Sequence, residues 1–476
     1  LEQKIRNNEA MQARVPVEHP FLVMTSMLIG AFVGMFSETS LNIALPKLMG
    51  SLSVGTGTIQ WLVTGYMLVI GIVLPFSSLI SKWFTTRQII IFGLLAFLVG
   101  AIISAMSVSF GMLLFGRMIQ GIATGLILPM MFTVAMLIFP PYKLGAIMGM
   151  CALVIMFAPA LGPTVTGIVL AKLSWQWVFW IFVPLLLVAL FFAIFYLKNV
   201  GEVTKPKVDV ISLFESVIGF SSVVIGVSFA SEKGWTSPIV VGTLILGVLV
   251  LFIYVKRQLT LEVPVLNLKI FSISEFRVGA TIMMLDFAII LSAMYLLPLY
   301  IQKGLLLPVA LTGIIMFPGG LVNALMSGVA GRLYDRVGAK MPVRLGLIIA
   351  LIGLIMMAMM STKTSVAYII IAHIVLMVGC TLAMSPAQTY ALNALTGAQS
   401  GDGSTIMNTM QQIVGAIATA LATSLLGMGQ LAYQSQYGSH ALNAAFTNGV
   451  HYGFYFTMVL VVVALLFSRK ISYPKK

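Results

Sequence analysis

Residues 175–197 read WQWVFWIFVPLLLVALFFAIFYL, a run with no Asp, Glu, Lys or Arg, bounded by Lys172 and Lys198. About 20 apolar residues in a helix cross the hydrocarbon core of a bilayer. The stretch reads as a membrane span. Thirteen more candidates follow the same pattern between polar breaks, so the expected spans are 21–45, 57–80, 87–106, 109–138, 143–170, 175–197, 209–230, 237–255, 276–301, 307–331, 343–360, 366–391, 404–427 and 451–468. The least regular is 209–230, because it contains Glu215.

Composition agrees. Of 476 residues, 60% are hydrophobic and only 8% are charged, where a soluble protein carries about 25%. So few charges cannot cover a soluble globule of this size. A soluble enzyme, a disordered chain and a nucleic-acid binder are excluded. The two cysteines, Cys151 and Cys380, lie in apolar runs and form no metal or redox motif. Leu1 to Pro20 is polar and mixed in charge, so it does not read as a cleavable signal peptide, and a start at Leu1 reads as trimmed.

The net charge of +14 has a topological meaning. Cytoplasmic loops collect Lys and Arg. With the N-terminus inside, 21 basic residues fall on the inner side and five on the outer (Lys47, Lys172, Lys233, Lys303 and Lys363), and Arg117 alone lies within a span. Both termini are therefore expected in the cytoplasm. The longest inner connections, 198–208 and 256–275, divide the spans into six, two and six. The expected organisation is an inner N-terminal segment 1–20, a six-helix bundle 21–197, a linker region 198–275 with two extra spans, a second six-helix bundle 276–468 and a tail 469–476. Repeated halves are common in transporters, with the substrate site near the midplane between them. Residues 428–450, rich in Gln, Asn, Ser and Gly, read as the one long outer loop.

Five segments carry a pattern beyond hydropathy. Between spans ten and eleven stands GRLYDRVGAK, residues 331–340. Gly331 and Gly338 would let helices approach, Asp335 would cap a helix or pair with a base, and Arg336 adds inner charge. Such a turn would latch one state of a rocking bundle. The equivalent place in the first half, SSLISKWFTTR at 77–87, has Ser81 where the second copy has Asp335. Span one contains ETSLNIALP from Glu38 to Pro46, span two contains Trp61, Tyr66 and Leu68 in a W-x-x-x-x-Y-x-L pattern, and span four contains Arg117, Gln120 and Gly121 as R-x-x-Q-G. Span five contains APALGPTVTG, residues 158–167. There Pro159 and Pro163 each remove a backbone donor and bend the helix, while Gly162 and Gly167 permit close contact.

These segments together resemble the major facilitator superfamily, and within it the 14-helix drug:proton antiporters. The resemblance covers essentially the whole chain. It departs at Glu38, where that family usually has Asp. The span-five segment matches the pattern associated with exporters rather than uptake symporters, and the TTRQ string at Thr85–Gln88 is similar to lincosamide-type exporters. The resemblance implies an all-α fold of two six-helix bundles plus two extra helices. It also implies a multi-pass, monomeric protein of the bacterial cytoplasmic membrane, with protons as coupling ion and no cofactor. Its partners would be amphipathic, cationic drugs and the lipid bilayer, with no nucleic acid. No P-loop, GxSxG or HExxH stands in a suitable context, so ATP hydrolysis and a membrane-embedded enzyme are not indicated.

The scarce acids narrow the coupling chemistry. Glu38 lies roughly 10 Å below the outer end of span one and Arg117 roughly 12 Å into span four, at 1.5 Å per residue. They share a level. A carboxylate at that depth is costly unless paired or protonated, so Glu38 reads either as a proton carrier beside a fixed cation or as half of a permanent ion pair. Asp286 is mid-span in MMLDFAII with no basic residue near it in sequence, which fits a proton carrier. Glu215, six residues past Asp209, reads as an acid near the inner interface with a possible coupling role. His373, alone in span twelve, reads as hydrogen-bonded structure. A polyspecific pocket is apolar and adaptable with few polar groups. Its candidates are Asn42, Trp61, Tyr66, Phe157, Tyr295, Phe317, Asn323 and Gln411, in the kinked or motif-bearing spans. The expected function is proton-driven export of amphipathic drugs by alternating access, with export of one specific metabolite, lipid or antibiotic class as the alternative and a membrane-embedded enzyme or non-transporting sensor as the remote one.

Overall fold

The computed structural model describes residues 17–471 apart from 201, 202, 204, 206–208, 263, 396, 397, 439 and 440, and leaves out the side chains of 78, 141, 142, 144–146, 149, 152, 156, 398, 400 and 401. The expected N-terminal segment and C-terminal tail lie largely outside the described residues, and so do Lys4, Arg6, Arg14, Lys207, Lys475 and Lys476. Among the described residues, 14 helices are long and apolar enough to cross a membrane. In chain order they are α1 (Pro20–Leu52), α2 (Trp61–Trp83), α3 (Thr86–Ala105), α4 (Phe110–Ile138), α5 (Pro141–Lys172), α6 (Phe182–Tyr196, whose membrane span begins at Trp177) and α7 (Val210–Lys233). The remainder are α8 (Pro238–Thr260), α9 (Ser274–Leu299), α10 (Val309–Val337), α11 (Lys340–Ala358), α12 (Val366–Asn393), α13 (Ala398–Tyr437) and α14 (Leu442–Ser468). An apolar chain in lipid must satisfy its backbone internally, and helices do so.

The expected outer loop at 428–450 is corrected. α13 runs on to Tyr437 and α14 begins at Leu442. Polar side chains here decorate helices that project past the apolar zone. Composition marks where lipid ends, but a helix stops only where its backbone is interrupted, here by Gly438 at φ 80°. The turn after α10 is shorter than expected for the same reason. Residues 331–337 are the last turns of α10, and Gly338 at φ 74° ends it, a conformation that favours glycine. Asp335 therefore caps no helix start, and a side chain at Gly331 would meet no atom within 4 Å, so this glycine brings no helices together.

The TTRQ string has a local explanation. Thr85 and Gln88 form a capping box at the start of α3: Gln88 N–H donates to Thr85 Oγ1 at 3.3 Å, and Thr85 N–H donates to Gln88 Oε1 at 3.0 Å. Arg87 Nη2 reaches Ile194 O at 2.6 Å, tying this turn to the end of α6.

α1 to α6 pack among themselves, as do α9 to α14. The two bundles meet along α5–α10 and α2–α13, with a lighter contact between α1 and α9. The extra pair α7–α8 is a hairpin. α7 lies on α13 and on α2, across the seam, and Trp235 Nε1 donates to Ser424 Oγ at 3.1 Å. At its base Asp209 accepts two bonds from Arg257, at 2.7 and 2.8 Å. Arg257 pushes the Asp209 carboxyl down to about 2 from an ordinary 3.8, mainly through those hydrogen bonds. A depressed acid stabilises the fold above its unfolded pKa and loses that contribution as pH falls through the folded value. Asp209→Asn should lower the melting temperature in detergent by roughly 1–3 °C at pH 7. The gap between the two proteins should hold to about pH 4 and close toward pH 2. Differential scanning fluorimetry across that range measures it, and a gap that widens on acidification would contradict the assignment.

Candidate functional site

The geometry begins with two prolines. Pro163 has no N–H to give Pro159 O, four residues earlier, and that freed carbonyl accepts from Thr39 Oγ1 of α1 at 3.0 Å. Gly162 lies against the same turn of α1: a Cβ there would stand 2.5 Å from Thr39 Oγ1 and 2.9 Å from Phe36 O. One side of the span-five segment thus holds α5 to α1. Its other side closes the seam. A Cβ on Gly167 would sit 3.0 Å from Val309 O, and one on Gly313 2.7 Å from Pro163 O. Thr164 Oγ1 donates to Gly313 O at 3.1 Å. Gln302 Nε2 adds a bond from the end of α9 to Ile43 O at 3.0 Å. These contacts lie toward the face opposite the chain termini.

Contact between α5 and α10 does not extend to the terminal face. Leu153 is seven residues before Ala160 on the same stripe of α5 and is 63% exposed. Gly331 is eleven residues after Gly320 on α10 and faces open space. A cleft of about 350 Å³ enters from this side, lined among others by Pro129, Phe132, Asn267, Asp402 and Asn408. The far face is closed and the terminal face is open.

Beneath the closed end lies a second, much smaller cleft of about 20 Å³, room for about one water, between α5, α9, α10 and α12. Pro159, Ala160, Pro163, Met294, Met316, Gly320 and Met377 form its apolar wall, and Asn323 and His373 are its polar members. Adjacent glycines set this geometry. A Cβ on Gly320 would be 3.0 Å from Ala160, and one on Gly319 2.3 Å from the His373 ring. Thr381 Oγ1 donates to Asn323 Oδ1 at 2.6 Å, turning that amide. His373 is 2% exposed, and neither ring nitrogen has a hydrogen-bond partner.

Arg117 is wholly buried and is a structural pin of the first bundle. Its Nε donates to Leu62 O at 3.2 Å, Nη1 to Gln120 Oε1 at 2.9 Å and to Ser37 Oγ, and Nη2 to Ser37 O at 3.3 Å. Its guanidinium carbon lies 3.9 Å over the Tyr66 ring, whose hydroxyl donates to Gly34 O at 2.9 Å. Arg117 thus joins α1, α2 and α4. Among the described residues no ion pair joins Glu38 to Arg117; the cation acts on Glu38 only through space.

Glu38 looks across the seam instead. Its carboxyl faces the Gln412 side chain on α13, and its Oε2 is buried without a partner. Asp286 is also wholly buried, with both oxygens lacking a hydrogen-bond partner by ordinary geometry, and it faces the Cys380 thiol on α12. Glu215 lies in the α7–α8 hairpin near Tyr254 and Arg257, with Oε2 buried and unpartnered, and lines neither cleft.

Of the pocket candidates, only Asn323 lines this smaller cleft, together with Pro159 and Pro163. Tyr66 is occupied by Arg117, and Trp61 packs edge-on against Phe229 of α7. Tyr295 is buried beside Thr423 of α13. Asn42 is buried with Oδ1 unpartnered, Gln411 is buried beside Gln412, and Phe157 and Phe317 are half-buried. Asp335 and Arg336 are exposed at the terminal end of α10.

Gln412, Cys380 and His373 were missed as site residues. Depth alone pairs two of them. Asp286 and Cys380 lie roughly 18 and 20 Å from the terminal ends of their helices, and Met294 and His373 both roughly 30 Å. Which of Gln411 and Gln412 faces Glu38 depends on a rotation of about 100° per residue, and no hydropathy pattern reports it.

A seam between two helical bundles, closed at one face and open at the other over buried polar groups, defines a multi-pass membrane transporter. The Major Facilitator Superfamily model matches residues 27–419. The "Lincomycin resistance protein LmrB" of Bacillus subtilis (strain 168) is 45% identical over 450 residues, 93% of this chain and 94% of that one. Its namesake in Listeria innocua serovar 6a (strain ATCC BAA-680 / CLIP 11262) is 43% identical over 459 residues, 96% of this chain and 98% of that one. Among solved structures, a partially occluded inward-open conformation of the xylose transporter XylE from E. coli aligns with a TM-score of 0.62 at 13% identity, covering 96% of this chain and 98% of that one. The chain belongs to the major facilitator superfamily.

Proposed function

We propose that the protein is a proton-coupled exporter of amphipathic small molecules, working by alternating access in a bacterial cytoplasmic membrane with both termini in the cytoplasm. The observation that carries this is one buried, incompletely partnered carboxyl in each bundle: Glu38 on α1 and Asp286 on α9. Glu38 and Gln412 face each other across the seam, so rocking of the bundles parts them. A carboxylate binds the Gln412 amide more strongly than a carboxylic acid does. Proton arrival at Glu38 therefore loosens the seam, which is the coupling an antiporter needs. The relatives' names support an antibiotic as cargo. The cleft, whose lining holds no charged side chain, favours a narrower substrate class over general cation export.

The test is uptake into inverted vesicles under an imposed proton gradient, with lincomycin and ethidium as probes. Wild type should accumulate lincomycin, and Glu38→Gln should lower that accumulation about tenfold. If neither probe moves with the gradient in wild type, the reading fails. Movement of lincomycin without ethidium selects the narrower class.

A further inference from the structure

The structure assigns a hydrogen-bonding substrate subsite to His373 and Asn323, selective for an uncharged face that carries hydroxyl or amide groups. It rests on the reading of the protein as an exporter and adds what the seam cleft recognises. Three observations meet here. His373 is buried, its two ring nitrogens have no partner, and its ring borders the cleft. A buried polar group left unpartnered costs about 1–3 kcal/mol, so a ring kept in that condition invites a ligand. A neutral imidazole offers one donor and one acceptor.

Asn323 completes the pair. Thr381 Oγ1 occupies its Oδ1, which leaves the amide nitrogen to donate. The rest of the wall is apolar and adaptable: Met294, Met316 and Met377 beside Pro159 and Pro163. There is no carboxylate in the lining, so a cation gains no partner here. The space takes a group of about the size of one water, so a ligand enters it by a single hydroxyl or amide group, with its apolar body along the methionines. The Gly319–Gly320 pair shapes the subsite, because side chains there would strike the His373 ring and Ala160.

Equilibrium dialysis of purified protein in detergent tests this with two probes. Lincomycin bears hydroxyl and amide groups, while tetraphenylphosphonium is a cation with no hydrogen-bonding group. His373→Ala should weaken lincomycin binding at least tenfold, and Asn323→Ala about fivefold. His373→Gln, which restores a donor and an acceptor, should stay within threefold of wild type. Tetraphenylphosphonium binding and melting temperature should hold in all three. The assignment is overturned if wild type does not bind lincomycin, if His373→Ala binds it as wild type does, if both probes weaken together, or if Gln rescues no better than Ala. The export reading fails separately: a wild type that binds lincomycin and never moves it with the proton gradient keeps the subsite and loses the coupling.

Discussion

Asp286→Asn should give a protein that folds and binds substrate but no longer concentrates it. The side chain is wholly buried, and its neighbour is the Cys380 thiol. Asn has nearly the same shape and puts no cavity into the α9–α12 contact. What it removes is the choice between a charged and an uncharged state. An ionised carboxylate among apolar groups costs several kcal/mol unless water or a partner reaches it, so giving up the proton requires the site to open. An amide has no such requirement, and the bundles can then rock without carrying a proton. One charge moved across 100 mV supplies about 2.3 kcal/mol, or about fifty-fold in concentration. The accumulation ratio in energised vesicles should therefore fall from about fifty to about one, with downhill exchange kept within about threefold. Radiolabelled uptake with and without the gradient separates these quantities. Full accumulation by the variant would remove Asp286 from the coupling path.

Gly313→Leu should fail in a different way, by preventing the far face from closing. Its Cβ would stand 2.7 Å from Pro163 O and 2.9 Å from Thr164 Cα, and both are backbone atoms that no rotamer change can move. The same contact seen from α5, at Gly167, is bounded by Val309 O and Gly313 Cα. Overpacking of this kind costs roughly 1–3 kcal/mol. It applies only to the state in which the contact forms, so the balance should shift roughly 5- to 150-fold toward the state open at the far face. Spin labels at Ser51 and Lys363, which lie at that face in the two bundles, report the change by electron–electron double resonance. Their distance distribution should move to longer values in the variant, and transport should fall at least tenfold. An unchanged distribution would mean that α5 and α10 do not form the seal.

Much of this architecture was legible before any coordinates. The fourteen helices follow from the bilayer, which demands long apolar runs with internally satisfied backbones. The loop expected at 428–450 was misread because polarity marks the edge of the lipid and not the end of a helix. The chemistry was legible as residue types: Glu38 and Asp286 stood out because acids are rare here, and Pro159, Gly162, Pro163 and Gly167 because their spacing is mechanical.

The partners of those residues were not legible. Arg117 shares a level with Glu38, yet its donors go to Ser37, Gln120 and Leu62. The acid turns to Gln412, far away in sequence and across the seam. Gly331 lies in a segment that fits the family pattern and faces open space, while Gly313, unremarked in the sequence, closes the far face. The amino-acid sequence by itself determined the number of helices and the depth of each acid along its helix, because rise per residue is constant and lipid selects for apolarity. Only the tertiary structure decided which bundle each deep side chain faces, since that depends on helix rotation and on which helices are neighbours. Both are set by packing between segments hundreds of residues apart.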